Sequence, residues 1–109
     1  MGWRLTGARR RIRLELRSSQ TIQVRPLTTT DYGVAYEVFV LGVYEHPWLP
    51  SQARRIVDLG GNVGYSVLWW AARYPEASIR VYEPLPEHVQ VVASHIQLND
   101  LASRVIVRW

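Results

Sequence analysis

A glycine-rich segment in the second half of the chain has residue types and spacing that could do chemistry. It runs from Asp58 to Gly64 with the sequence DLGGNVG, at the end of a short, mostly apolar run. Glycine tolerates positive φ because it has no Cβ, and asparagine is the next residue best suited to a left-handed conformation. Such a loop lets the backbone turn sharply and approach a ligand closely. A helix that begins after it would direct unpaired N–H groups and a partial positive charge towards a carboxylate or a phosphate.

An acidic residue follows the next predicted strand. Residues 79–82 (IRVY) form that strand, and Glu83-Pro84 ends it. The carboxyl ends of neighbouring parallel strands lie at the same edge of a sheet, so we expect Glu83 beside the glycine loop. A carboxylate there can accept hydrogen bonds from both ribose hydroxyls of a nucleotide or of S-adenosylmethionine. The alternative is that the glycines only make a turn and that Glu83 is a solvated loop residue.

The glycine spacing excludes two common phosphate-binding motifs. A dinucleotide fingerprint has the form G-x-G-x-x-G, and either alignment on this loop lacks one required glycine, at Leu59 or at Asn62. A P-loop requires a lysine, and the chain has none.

The first half of the chain is predicted to form a hairpin and a helix. Polar and apolar residues alternate in Arg11–Arg17 and again in Thr21–Arg25, which is the pattern of two half-buried strands. The hydroxyl and carboxylate side chains of Thr28–Asp31 predict a capped helix start. A helix over Tyr32–Tyr44 follows, although Val38–Leu41 could instead be a strand.

The second half is predicted to alternate strands and helices in the order β-α-β-α-β. Such an order indicates an α/β fold with a parallel sheet and right-handed crossovers. We expect the strands to lie in the order third, second, first. The chain then divides into a hairpin and helix extension, residues 1–50, and a Rossmann-like half, residues 51–109.

Charge is distributed unevenly over the 109 residues. All 13 basic residues are arginine. Seven of them lie with one acidic residue in residues 1–25, which gives that arm a charge of +6, while residues 26–109 carry −2 and the chain a net +4. The arm lacks interleaved aromatic residues and a recognition-helix pattern, so we interpret it as a solvated hairpin rather than a nucleic-acid contact. The chain has no cysteine, which excludes disulfides and thiolate chemistry. Its longest apolar run is Val67–Ala72, too short to span a membrane, and without an export signal we expect a cytoplasmic protein.

A family resemblance rests on these motifs. Ile56–Ser66 (IVDLGGNVGYS), then Val81–Pro84 (VYEP) and a helix that reaches Asn99, resemble the FkbM family of class I S-adenosylmethionine-dependent methyltransferases, which have a Rossmann-like sheet. The upstream stretch Arg25–Asp31 is similar to the segment before the family's first core strand. The similarity covers nearly the whole chain.

The resemblance implies a role for each motif residue. The methionine end of S-adenosylmethionine would be held by Asp58, Gly60, Gly61, Asn62 and Gly64. Glu83 would hold the ribose hydroxyls, and Pro84 would lie near the adenine. Gly61 stands where the family often has alanine, a change that we expect to be harmless because glycine is smaller. No catalytic base is identified.

The resemblance also implies that the chain is a fragment, because such a domain normally continues through further strands after a position like Trp109. We expect the fragment alone to self-associate through its truncated sheet and to have little activity. The whole protein would methylate a hydroxyl of a small molecule or glycan: a sugar, a glycolipid or a natural product. Two alternatives remain, a non-catalytic module that binds nucleotide or S-adenosylmethionine, and an interaction protein that binds nucleic acid through its arginine arm.

The histidines give no metal site in this interpretation. His88 and His95 are seven residues apart on one predicted helix, about 10 Å along its axis, which is too far to share a metal ion. We interpret both as surface residues.

Overall fold

The computed structural model describes residues 11–26 and 29–109 of the chain. Thr28 of the predicted helix start and residues 1–10 of the basic arm lie outside these ranges.

A parallel sheet positions the site. Its three strands are β3 (Arg55–Leu59), β4 (Ser78–Tyr82) and β5 (Val105–Arg108), in the spatial order β3-β4-β5. This confirms the predicted α/β fold and strand order. Leu59 pairs with Tyr82, so β3 and β4 end at the same level. The residues that follow these two strands are therefore neighbours in space.

Two helices cover one face of the sheet. They are α2 (Tyr65–Arg73) and α3 (Pro86–Leu98). The core consists mainly of apolar side chains from these helices and from alternate strand positions, such as Leu68, Val81 and Val92. On the other face the intervening residues are open, with Val57 61% and Leu59 77% exposed. Among the described residues, only one side of the sheet is thus covered by helices.

The predicted hairpin is present. Strands β1 (Ile12–Glu15) and β2 (Thr21–Val24) are antiparallel. Two side chains of β2, Ile22 and Val24, are buried in the same core as the sheet and its helices. The hairpin therefore packs against the sheet and its helices through a shared core rather than standing apart from them.

The predicted helix over Tyr32–Tyr44 is shorter than expected. Helix α1 (Asp31–Ala35) passes into a π-helical turn, Tyr36–Val40, and the strand alternative is wrong. Gly42, with φ of +63°, ends the helical path, as glycine often does.

The helix start also differs from the prediction. The Thr29 hydroxyl accepts the N–H of Asp31 at 3.4 Å, as a capped start would, but the Asp31 carboxylate accepts from the N–H of Arg25 and from the Arg25 guanidinium at 2.8 Å. The guanidinium holds the pKa of Asp31 below its usual value in spite of burial. The acidic residue therefore ties the helix to the end of β2 rather than capping it.

Among the helices within residues 11–26 and 29–109, none combines the length and the apolar character needed to cross a membrane.

Candidate functional site

The glycine loop has the left-handed conformations that its residue types predict. Gly60, Asn62 and Gly64 have φ of +79°, +51° and +96°. The N–H groups of Gly60 and Gly61 both donate to the Tyr82 carbonyl, at 2.7 and 3.2 Å. The loop is therefore fastened to the end of β4, and α2 begins directly after it.

Gly61 has a different reason to be glycine. Its backbone is not left-handed, but a Cβ there would overlap Cγ1 of Val81, a fully buried side chain of β4. Close packing between the loop and the sheet therefore excludes a larger residue unless something shifts. The expectation that glycine is harmless here agrees with this packing, in which alanine would be the residue that does not fit.

The structure brings Glu83 to the glycine loop. Its Oε1 accepts the N–H of Asn62 at 2.8 Å, and its Oε2 accepts the N–H of Leu85, also at 2.8 Å. The side chain of His88 lies close by, with Nδ1 at 3.6 Å from Oε2. Glu83 is only 5% exposed, so it is not the solvated loop residue of the alternative interpretation. Each carboxylate oxygen has a second lone pair that can accept a further hydrogen bond.

Asp58 lies at the end of β3, on the other side of the loop. Its Oδ2 accepts the hydroxyl of Ser66, in the first turn of α2, at 2.6 Å. Burial raises the pKa of the neighbouring Tyr44 hydroxyl, and the negative charge of Asp58 acts in the same direction. Neither Ser66 nor Tyr44 was predicted as a site residue, although Ser66 closes the motif that carries the family resemblance.

Pro84 lies apart from the buried part of the site. It is exposed directly after Glu83, and its carbonyl accepts the indole N–H of Trp109 at 3.2 Å. Its ring is therefore exposed beside Glu83.

His95 is not the surface residue that we predicted, since it is 1% exposed. Its Nε2 accepts the N–H of Gln23 in β2 at 2.9 Å, so Nδ1 carries the proton and donates to the Val63 carbonyl at 2.7 Å. Burial lowers the pKa of His95. A signal was present, because His95 follows the buried Val92 by three positions, on the same face of α3.

Within residues 11–26 and 29–109, no group of three or more His, Cys, Asp or Glu side chains is placed to hold a metal ion.

The chain is similar to methyltransferases in sequence. Methyltransferase sdnD of Sordaria araneosa is 38% identical over 69 residues, which are 63% of this chain and 26% of that protein. Methyltransferase 1 of Beauveria bassiana is 29% identical over 66 residues, 61% of this chain and 26% of that protein. The chain thus spans about a quarter of the length of these two curated relatives. No model of a protein family matches it.

Solved structures share the fold. A protein of Pyrococcus horikoshii described as a transferase superposes with a TM-score of 0.64 at 15% identity, over 90% of this chain and 35% of that one. The METTL16 MTase domain superposes with a TM-score of 0.53 at 17% identity, over 84% of this chain and 37% of that one. The chain has a Rossmann-like α/β fold. At these identities the structural likeness shows the fold alone.

Proposed function

We propose that this chain forms the S-adenosylmethionine-binding half of a class I methyltransferase of the FkbM type. The observation that carries the proposal is the hydrogen bond between Glu83 and the N–H of Asn62 at 2.8 Å. It joins the two features expected to hold the cofactor, which are 21 residues apart in the sequence. The two curated relatives named methyltransferases support it. In this proposal residues 1–50 are an extension and residues 51–109 are the cofactor-binding half.

The donors and acceptors of the site fit S-adenosylmethionine. Glu83 accepts the two ribose hydroxyls on the lone pairs that Asn62 and Leu85 leave free. The methionine end lies at the loop Gly60–Gly64, where the carboxylate of Asp58, which accepts one hydrogen bond from Ser66, can accept further hydrogen bonds from the ammonium group. Gly60 leaves this face open, since a Cβ placed on it would have no heavy atom within 4 Å. Pro84 lies against the adenine.

The protein's share of the chemistry is mainly positional. When bound, S-adenosylmethionine supplies a methyl group already activated by the positive sulfur. The loop and Glu83 fix the cofactor from two strand ends, which aligns the reacting carbon with an acceptor above the sheet edge. For a hydroxyl acceptor a base must also remove a proton.

The acceptor in this proposal is a hydroxyl of a sugar, a glycolipid or a natural product, on the strength of the Ile56–Ser66 motif. It is tested by incubating the natural polypeptide that carries this chain with methyl-labelled cofactor and a panel of hydroxyl compounds. Amine counterparts of the same compounds serve as the control. Label found only on the amines would contradict the hydroxyl assignment.

Isothermal titration calorimetry tests the cofactor assignment. The same polypeptide is titrated with S-adenosylmethionine, its demethylated product S-adenosylhomocysteine, and ATP. We expect the two adenosyl sulfur compounds to bind and ATP to bind far more weakly, because the loop matches neither the dinucleotide fingerprint nor the P-loop. Preferential ATP binding would favour a nucleotide-binding module instead.

A matched pair of variants locates the binding site. Glu83→Gln replaces one accepting oxygen by a donor, and we expect the dissociation constant for S-adenosylmethionine to rise about tenfold or more, since hydrogen bonds to a charged group are lost. Glu76→Gln changes an exposed carboxylate just before the opposite end of the same strand. It should leave the affinity unchanged. Equal affinities of the two variants for S-adenosylmethionine would contradict the assignment of Glu83 to the binding site.

A further inference from the structure

We propose that His95 is a positioning residue for the cofactor loop, and that the N-terminal hairpin helps to hold the loop through it. The inference rests on the proposed function of the loop. It goes further in giving the hairpin and one buried histidine a role in cofactor affinity.

His95 joins two segments that are far apart in the sequence. Its ring bridges the carbonyl of Val63, inside the glycine loop, and the N–H of Gln23, in β2. Both contacts are to main-chain atoms. The Nδ1 atom also lies 3.5 Å from the position that a Cβ on Gly64 would occupy, so the ring packs against the end of the loop.

Both main-chain polar groups of Gln23, its N–H and its carbonyl, are hydrogen-bonded to side chains. While its N–H donates to His95, its carbonyl accepts the hydroxyl of Tyr65, the first residue of α2, at 2.6 Å. The rings of Tyr65 and His95 are in contact, with centroids 5.4 Å apart. One residue of the hairpin is therefore fixed both to the loop, through His95, and to the helix that follows the loop.

The glycine loop needs such hydrogen bonds to stay in one conformation, because glycine adds backbone freedom. Its first part is fixed by the Tyr82 carbonyl and its middle by Glu83. Val63, near its end, is 1% exposed, and its carbonyl is satisfied by His95. Without the imidazole this buried carbonyl would lose its partner, and the loop would have to rearrange to reach another donor.

The bridge requires one tautomer of a neutral histidine. The main-chain N–H of Gln23 can only donate, so Nε2 of His95 must accept. The main-chain carbonyl of Val63 can only accept, so Nδ1 of His95 must donate. Asparagine reproduces only the bond to the Val63 carbonyl, since its side-chain amide nitrogen reaches the position of Nδ1 and no atom of it reaches the position of Nε2. Leucine fills a similar volume and makes neither bond.

Three variants of the natural polypeptide separate loop positioning from general stability. These are His95→Leu, His95→Asn and Ile96→Ala, the last of which removes a core side chain on the next position of α3. We expect His95→Leu to raise the dissociation constant for S-adenosylmethionine about tenfold, and His95→Asn to recover most of the affinity. Ile96→Ala should lower stability comparably while leaving the affinity within about twofold of wild type.

The outcomes are separable. If the wild type binds no S-adenosylmethionine, the proposed function fails. If it binds and His95→Leu binds equally well, or if His95→Asn is no better than His95→Leu, only the role of His95 fails.

A spectroscopic measurement covers the case in which His95→Leu does not fold. In the wild type, ¹⁵N spectra of the labelled imidazoles should show one ring protonated at Nδ1 and unprotonated at Nε2, insensitive to bound cofactor. If no histidine shows this tautomer, the bridge does not exist and the inference is overturned.

Discussion

Replacing Gly61 with alanine tests the packing of the loop against the sheet. The added methyl group would overlap Cγ1 of Val81, and its next neighbours would be Cβ of Val81 at 3.7 Å and Cγ2 of Val67 at 4.0 Å. Val81 is fully buried on the central strand β4, so it cannot turn outward to make room. The strain must therefore move either the loop or the strand.

The expected cost follows from the overlap. Forcing one methyl group into a well-packed interior typically costs about 1–3 kcal/mol, and the fixed position of Val81 puts Gly61→Ala near the middle of that range. The lower chain entropy of alanine in the unfolded state offsets about 0.4–1 kcal/mol of this. We expect a net loss of about 1–2 kcal/mol in the free energy of unfolding.

Gly33→Ala is the matched control. Gly33 lies in α1, its φ is not left-handed, and a Cβ there would meet nothing within 4 Å. Alanine should therefore stabilise the protein by about 0.5–1 kcal/mol. The same substitution is thus expected to have opposite signs at the two glycines.

Urea unfolding of wild type, both single variants and the double variant Gly61→Ala/Val81→Ala measures these differences. Removing the Val81 methyl groups relieves the overlap, so the double variant should be more stable than the sum of the single effects by about 1 kcal/mol. Additive effects, or a Gly61→Ala variant as stable as Gly33→Ala, would refute the close approach of loop and strand.

Other predictions concern the histidine, the hairpin and the open sheet face. Burial lowers the pKa of His95 from 6.5, so the stability that the neutral ring contributes is complete above about pH 6.5. This stability is lost as the pH falls towards the folded-state pKa, by at most about 1.4 kcal/mol per pH unit. The free energy of unfolding, measured in urea at several pH values, should show a slope that the His95→Asn variant lacks. Asn99→Leu removes two hydrogen bonds to the main chain of Thr21, each 2.8 Å long, and should cost about 1–3 kcal/mol and speed amide exchange in β2 more than in β4. The exposed β3 should drive self-association of the 109-residue chain, which Val57→Lys should reduce in sedimentation velocity experiments.

The parts of the site that could be predicted are those fixed by local chemistry. The strand before Gly60 and the strand before Glu83 are short apolar runs that end at turn residues, and parallel pairing places their ends together. The left-handed positions fall on Gly60, Asn62 and Gly64, the residue types that tolerate them. The fold class, the strand order and the proximity of Glu83 to the glycine loop could therefore be predicted from the sequence.

What could not be predicted depends on side chains that meet from distant segments. The clash that makes Gly61 necessary involves a valine 20 positions further on, and no local pattern shows it. Asp31 looked like a helix cap because its type suits one, but the guanidinium of Arg25 binds its carboxylate more strongly than a backbone N–H would. The π-helical turn at Tyr36–Val40 has no sequence signature of its own.

In the proposed function, the loop has its bound shape before the cofactor binds. Its N–H groups at Gly60, Gly61 and Asn62 are bound to the end of β4, and its carbonyl at Val63 is bound to His95. Because these contacts form on folding, binding need not bear the entropy of ordering a glycine-rich segment. Weakening any one of them transfers part of that cost to the binding step. Variants of these contacts should therefore lower cofactor affinity more than their loss of global stability alone would suggest, and they should do so whether or not the altered side chain touches the cofactor.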